Sequence, residues 1–327
     1  VEFCFALCVD AKIIPENLFR CTDRNASGTV SRRDEMKVLV TGATGNVGSA
    51  VVNQLHKRGA EVRALVRKPE AARFPVGVEV VPGDLSDPTS LRDAVKGIDK
   101  LFLLNAVVPD ELTQALIAYG IAKQAAIKHV TYLSVYRVDR FRDVPHFASK
   151  LAVEGAIREF GVPYTILRPG YFFQNDLALQ PLLQQVGIYP MPIGTAGISA
   201  IDSRDVAEAA AITLTEDGHE GETYDLVSAS QIDGPGNAAL WSNALAKEIV
   251  YTGHDFDAWE KQMSAQIPGW MAYDIRTMFQ GYVERGFAST AVEVNRAANL
   301  LGHAPNTYEA FVQQSAAEWL KASTMNS

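Results

Sequence analysis

The sequence predicts an α/β protein, a doubly wound parallel sheet followed by a smaller, mainly helical C-terminal lobe. Between Met36 and Gly170, short apolar runs alternate repeatedly with amphipathic stretches, a pattern that gives parallel strands with helices on both faces. A glycine-rich turn, Thr41-Gly42-Ala43-Thr44-Gly45-Asn46-Val47-Gly48, joins the first apolar run to the first amphipathic stretch. After residue 170 the alternation ends, and from residue 255 the chain reads as largely helical.

Lys37 to Thr41 reads as a buried strand, and 46–58 as a helix whose stripe is Val47, Val51, Val52 and Leu55. Further strands are predicted at Glu61 to Val66, Val78 to Val81, Lys100 to Leu104, His129 to Leu133 and Tyr164 to Leu167. Helices are expected between them over 88–96, started by Asp87-Pro88, and over 110–127 and 147–160. Beyond Gly170, Tyr171 to Asn175 leads into a Leu/Gln-rich helix, and 187–200, rich in Pro and Gly, reads as loop. A helix over 203–215, a late strand at Glu222 to Leu226 and a helix over 236–247 precede the helical end. The division expected is 36–170 for the sheet domain and 171–327 for a segment that completes the sheet and adds a substrate or partner lobe.

Residues 1–35 do not fit this pattern. Val1 to Val9 is apolar but lacks a basic leader, and 20–35 is polar and charged. Met36 sits where a native start would fall, so 1–35 is expected to be a non-native or disordered extension; the rival is a folded appendage over a sheet edge. All three cysteines, Cys4, Cys8 and Cys21, precede Met36, which removes a disulfide framework and cysteine-ligated metal from the main fold. His219, His254 and His303 have no metal-ligand spacing, and no metal is expected. A net charge of −8 with no basic block argues against nucleic acid as a partner. No apolar run approaches the ~20 residues of a membrane span. A cytoplasmic protein acting on a small molecule is expected.

A glycine turn between a strand and a helix N-terminus suits an anion. Gly42 permits the tight turn, Gly45 lets the backbone approach a phosphate, and Gly48 lets helix and strand pack closely. With Thr44 in the same turn these residues form the expected diphosphate site of a dinucleotide. Ligands of doubly wound sheets lie beyond the carboxyl ends of the strands. There stand Arg67, Lys68, Asp84, Asn105, Ser134 and the segment from Pro169 to Phe173. Two cations at 67 and 68, where an acidic residue would accept from both ribose hydroxyls, favour a 2′-phosphate and hence NADP(H) over NAD(H). Asp84 with Leu85 borders the adenine, or Asp84 is a loop cap. Lys150 on the helix after the fifth strand is a candidate ribose ligand. His146 and Tyr136 are candidate proton donors, each with a packing role as its alternative. Tyr171, Phe172 and Phe173 line the nicotinamide pocket or belong to the core.

Seven stretches together resemble the NmrA-like group of atypical short-chain dehydrogenases over about residues 36–320. They are Thr-Gly-Ala-Thr-Gly-Asn-Val-Gly (41–48), Val-Arg-Lys-Pro (66–69), Gly-Asp-Leu (83–85), His-Phe-Ala-Ser-Lys (146–150), Gly-Val-Pro-Tyr-Thr-Ile-Leu-Arg-Pro-Gly (161–170), Ile-Asp-Ser-Arg-Asp-Val-Ala (201–207) and Leu-Leu-Gly-His-Ala-Pro-Asn-Thr-Tyr-Glu-Ala-Phe (300–311). The resemblance implies a Rossmann domain with bound NADP(H): Gly42, Gly45, Asn46 and Val47 at the pyrophosphate, Arg67 and Lys68 at the 2′-phosphate, and Asp84 and Leu85 near adenine. It further implies Asn105 and Ala106 beside the cofactor, Lys150 at the nicotinamide ribose, and Tyr171 and Phe172 near the ring. Short-chain reductases carry a Tyr four residues before such a Lys, and this chain has His146 there. The group accordingly leaves two readings. One is a reductase of quinones, azo dyes, triphenylmethane dyes or unsaturated phenylpropanoids, with Lys150, His146, Tyr136 and Ser134 as catalytic candidates. The other is a non-catalytic redox sensor that acts through a protein partner.

Overall fold

The structure is a computed structural model that describes residues 36–253 and 255–325. Residues 1–35, with the three cysteines and the expected extension, and His254 lie outside the described residues. The opening strand β1 (Lys37–Val40) passes through the Gly-rich turn into α1 (Asn46–Lys57). Then follow β2 (Glu61–Val66), β3 (Glu79–Pro82), α2 (Pro88–Ala94), β4 (Lys100–Leu103), α3 (Glu111–Gln124), β5 (His129–Leu133), α4 (Pro145–Glu159) and β6 (Tyr164–Pro169). The late strand β10 (Thr223–Leu226) comes after β7 (Tyr171–Phe172), β8 (Ile188–Tyr189), β9 (Ile198–Ile201) and α5 (Ser203–Thr215). The seven-stranded sheet runs β10-β6-β5-β4-β1-β2-β3, with parallel pairing throughout.

Alternation along β1 decides which helices cover which face. Val38 and Val40 point to one side and pack with Val51, Val52 and Leu55 of α1 and with Val206, Ala210 and Leu214 of α5. Leu39 points to the other and packs with Leu91 of α2, Ala115 and Ala118 of α3 and Val153 and Ile157 of α4. A strand buried on both faces reads as a continuous apolar run, which is why Lys-Val-Leu-Val carries no polar alternation.

The remaining chain forms β11 (Gln231–Ile232), α6 (Gly234–Leu245), β12 (Val250–Tyr251), α7 (Phe256–Met263), α8 (Gly269–Arg285), α9 (Ala291–Leu301) and α10 (Tyr308–Met325). The lobe core gathers Trp241, Trp259, Phe279, Tyr282, Phe311 and Trp319, and it also takes in Tyr136, Phe141 and Phe147 from between β5 and β6. Two expectations change here. The segment 187–200 is not all loop: β8 pairs with β12, and β9 pairs with β7 and β11, because Ile198–Ile201 is buried throughout. The expected Leu/Gln-rich helix is a 3₁₀ turn, Phe173–Leu179, and a π turn, Leu182–Val186, separated at Pro181, which has no N–H to continue the ladder. Among the described residues no helix is long and apolar enough to cross a membrane.

A buried carboxylate ties the lobe together. Asp176 accepts hydrogen bonds from the Tyr308 hydroxyl and, at 3.0 Å, from that of Tyr189. Trp241 Nε1 donates to Tyr308 at 2.9 Å and Asn237 Nδ2 to Tyr189 at 2.8 Å, so β8, α6 and α10 meet at one group. Burial pushes Asp176 up to about 6, with the tyrosine hydrogen bonds opposing it. A carboxyl whose folded value lies above its ordinary 3.8 favours the native state most when protonated; that contribution is lost as pH rises through about 6. Asp176→Asn is therefore expected to show a stability deficit against wild type in urea that widens by roughly 2–3 kcal/mol as pH falls from 7 to 4. His129, held down to about 4 by burial, titrates with opposite sign in that window and cancels in the comparison.

Candidate active site

The sheet order reverses where β1 lies between β4 and β2, and the crevice beyond the strand ends at such a point is where ligands bind in doubly wound folds. The end of β1 is locked there. Thr41 Oγ1 donates to the Leu104 carbonyl at 2.8 Å and accepts from the Leu104 amide at 2.9 Å. Gly42 has φ +61°, and a Cβ there would lie 2.9 Å from Leu104 Cγ. At Gly48 a Cβ would come within 2.1 Å of the Gly42 carbonyl oxygen, so the turn folds directly against the helix. Gly45 caps α1 with no side-chain hydrogen bond, and the first turn has no acidic residue. The helix start thus offers backbone N–H groups and a positive dipole end. Thr44 is exposed, Asn46 half-buried and Val47 buried at this start.

Arg67 and Lys68 are exposed just past β2. With Gly83, Asp84 and Ser90, Arg67 lines an open cleft beside the crevice. The hydroxyl and amide of Ser86 hold the Asp84 carboxyl below its ordinary range, and the charge of Arg67 adds to this. Leu85 is half-buried and packs with the core on the α2–α3 face.

Beyond β4, Asn105 is buried, and its Nδ2 donates to the Glu111 carbonyl at 3.0 Å. Its Oδ1 has no protein partner. Ala106 beside it is half-buried. Glu111, in the first turn of α3, is itself buried, and its Oε1 lies 2.8 Å from Lys150 Nζ. The ammonium also stands 5.9 Å from the centre of the Tyr132 ring. A continuous path of contacts, Thr41–Leu104–Asn105–Glu111–Lys150, therefore links the glycine turn to the lysine.

The other candidates lie around this line. Ser134 Oγ donates to Glu154 Oε1 at 2.6 Å, and the same carboxylate takes both Nε and Nη2 of Arg168, at 2.8 and 2.6 Å. His146, one helical turn before Lys150, has Nδ1 2.7 Å from Asp274 Oδ1 of α8, which ties the start of α4 to the lobe. Tyr136 is buried edge-on to Phe287 with the Arg137 guanidinium over its ring. Burial and the Glu293 carboxylate push its hydroxyl well up. The three consecutive aromatics diverge. Tyr171 is buried beside Phe279, and burial raises its hydroxyl well above 10. Phe172 packs with the α1–α5 side of the sheet, and Phe173 sits in the lobe core against Tyr308 and Phe311. Glu111 and Asp274 were not legible as site residues, since an acid in a first helical turn reads as a dipole partner and neither belongs to a local motif. Among the described residues no cluster of His, Cys, Asp or Glu could hold a metal ion.

The fold and the glycine turn define a Rossmann-type dinucleotide-binding protein of the short-chain dehydrogenase kind. The NmrA-like family model matches residues 34–312, and the chain belongs to that family. It is 33% identical over 218 residues to the NAD(P)H azoreductase of Xenophilus azovorans, covering 65% of this chain and 76% of the relative. The NADPH complex of the Escherichia coli NADPH-dependent quinone oxidoreductase superposes with a TM-score of 0.76 at 26% identity, covering 87% of this chain and 100% of that one. Citrobacter sp. triphenylmethane reductase complexed with NADP(H) superposes with a TM-score of 0.75 at 27% identity, covering 85% of this chain and 99% of that one.

Substituting Gly48→Ala is expected to lower stability by about 1–3 kcal/mol and to weaken dinucleotide binding at least tenfold, because the turn must move off the helix. Thermal melting and a fluorescence titration check both.

Proposed function

We propose that this protein is an NADPH-dependent reductase that delivers hydride to a small aromatic or quinoid acceptor. The observation that carries the reading is the buried Lys150, fixed beside the strand ends and joined by contacts to the Gly42–Gly48 turn. The activities named for relatives, azo, quinone and triphenylmethane dye reduction, support the acceptor class.

The residues present fit the cofactor. The uncapped start of α1, with Gly42, Thr44, Gly45, Asn46, Val47 and Gly48, suits a diphosphate, and the unpartnered Asn105 Oδ1 beside Ala106 suits a ribose hydroxyl or amide donor. Arg67 and Lys68, exposed cations past β2, would meet the 2′-phosphate, while Asp84 and Leu85 would border the adenine. Lys150 would bind the nicotinamide ribose, and Tyr171, on the opposite face of its strand from Phe172, would border the ring. When bound, the reduced nicotinamide supplies the hydride. The chain's own part is to hold the reactants in register, exclude water with the aromatic lobe core, and bring a proton. His146 is the better proton source of the two candidates: with Nδ1 on Asp274, its Nε2 is the nitrogen left for an acceptor, and it shares a helix face with Lys150. Tyr136, its hydroxyl raised by burial, is a weaker acid at neutral pH. Ser134, engaged with Glu154, holds the strand end in place.

Purified protein is expected to consume NADPH steadily with at least one member of a panel of benzoquinones, naphthoquinones, azo dyes and triphenylmethane dyes. Absence of turnover at saturating NADPH removes the reductase reading. NADPH binding without turnover, together with cofactor-dependent capture of a protein partner, favours the sensor reading, in which the His146–Asp274 contact couples the cofactor end to the lobe. Arg67→Ala is expected to raise the NADPH Kd roughly tenfold and leave that of NADH almost unchanged, the signature of a lost 2′-phosphate contact.

A further inference from the structure

We infer that Glu111 is the positioning residue of this site: through its ion pair it holds the Lys150 ammonium at the nicotinamide-ribose end of the crevice. The inference rests on the reading of Lys150 given above and extends it to a residue outside the glycine turn and the Lys150 helix.

A buried ion pair is a poor device for stability, since desolvation of both charges offsets most of their attraction and apolar residues of like size do as well. Here both side chains are almost fully enclosed, 9% exposed for Lys150 and 3% for Glu111. Glu111 Oε1 stands 2.8 Å from the Lys150 ammonium. Two buried polar atoms beside the pair lack a protein partner. Asn105 Oδ1 has no partner, and neither has the hydroxyl of fully buried Tyr132, which feels the charge of Glu111. Buried polar atoms are ordinarily paired, so two left open around this ion pair mark a place arranged for something other than packing.

The surrounding groups leave this task to Glu111. Glu154, one turn beyond Lys150 on α4, is taken by Ser134, Arg168 and Arg158. His146, one turn before, faces Asp274. Tyr132 on β5 presents its ring to the ammonium, and Asn105 after β4 fixes the backbone of Glu111 rather than the lysine. Glu111 is the carboxylate against the ammonium, and it stands on α3, a different helix from the one that carries the lysine. Its position sets where along the crevice the charge is held.

The test compares two ligands in wild type and Glu111→Gln by calorimetry: NADPH, which reaches Lys150, and 2′,5′-ADP, which carries only the adenosine and 2′-phosphate end. The expected result is an NADPH Kd raised about tenfold in E111Q with the 2′,5′-ADP Kd unchanged. In the ligand-free protein, E111Q is expected to melt lower than wild type, and E111Q combined with Lys150→Met to recover, because the second change removes the uncompensated charge. If E111Q does not fold, Glu111→Asp carries the same comparison, since it keeps the charge and shortens its reach; the same selective loss is expected. Equal weakening of both ligands, or of neither, overturns the inference. Wild-type protein that binds neither ligand overturns the NADPH reading along with it, whereas tight wild-type binding with an indifferent E111Q overturns this inference alone.

Discussion

The cofactor end of the sheet depends on the absence of one carbon atom. Gly48 lies so close to the Gly42 carbonyl that any side chain there would overlap it at 2.1 Å. That approach brings the first turn of α1 onto the end of β1, leaves the helix start without a capping side chain, and fixes the turn against Leu104 of the neighbouring strand. Because Leu104 leads directly into Asn105, the same constraint sets the far end of the crevice. The glycine turn and the lysine are thus two ends of one line of contacts.

What could be read from the sequence follows the range of the interactions involved. The turn, the flanking strands and Lys150 are visible because glycine spacing, apolar runs and a helix position are local signals. Ile198–Ile201 looked like loop because its strand character comes from pairing with Tyr171–Phe172 and Gln231–Ile232, both distant in sequence. The partners of the two most chemical side chains were hidden for the same reason. Asp274 stands 128 residues from His146, and Glu111 is one acid among many until α3 and α4 are packed together. The row Tyr171-Phe172-Phe173 was legible as aromatic, but which ring faces the sheet and which the lobe is decided by a two-residue strand that alternates sides.

The lobe uses a different kind of interaction from the sheet. Its apolar core is threaded by polar contacts without cations: Asp176 with two tyrosines, an indole and an amide beyond them. Such a group is costly to bury and fixes geometry, since each donor has one direction in which it is satisfied. Together with the His146–Asp274 contact it orients α8 and α10 relative to the start of α4, the helix that carries Lys150.

Tyr136 and Phe141 arise between β5 and α4 and Phe147 in the first turn of α4, yet they are enclosed among Tyr282, Phe287 and Phe279 of the lobe. The two halves of the molecule are therefore interlocked rather than joined end to end. A chimera that grafts another relative's lobe after residue 170 would set foreign contours against these three rings. A successful exchange has to move residues 136–147 along with the graft, even though they belong in sequence to the half that is kept.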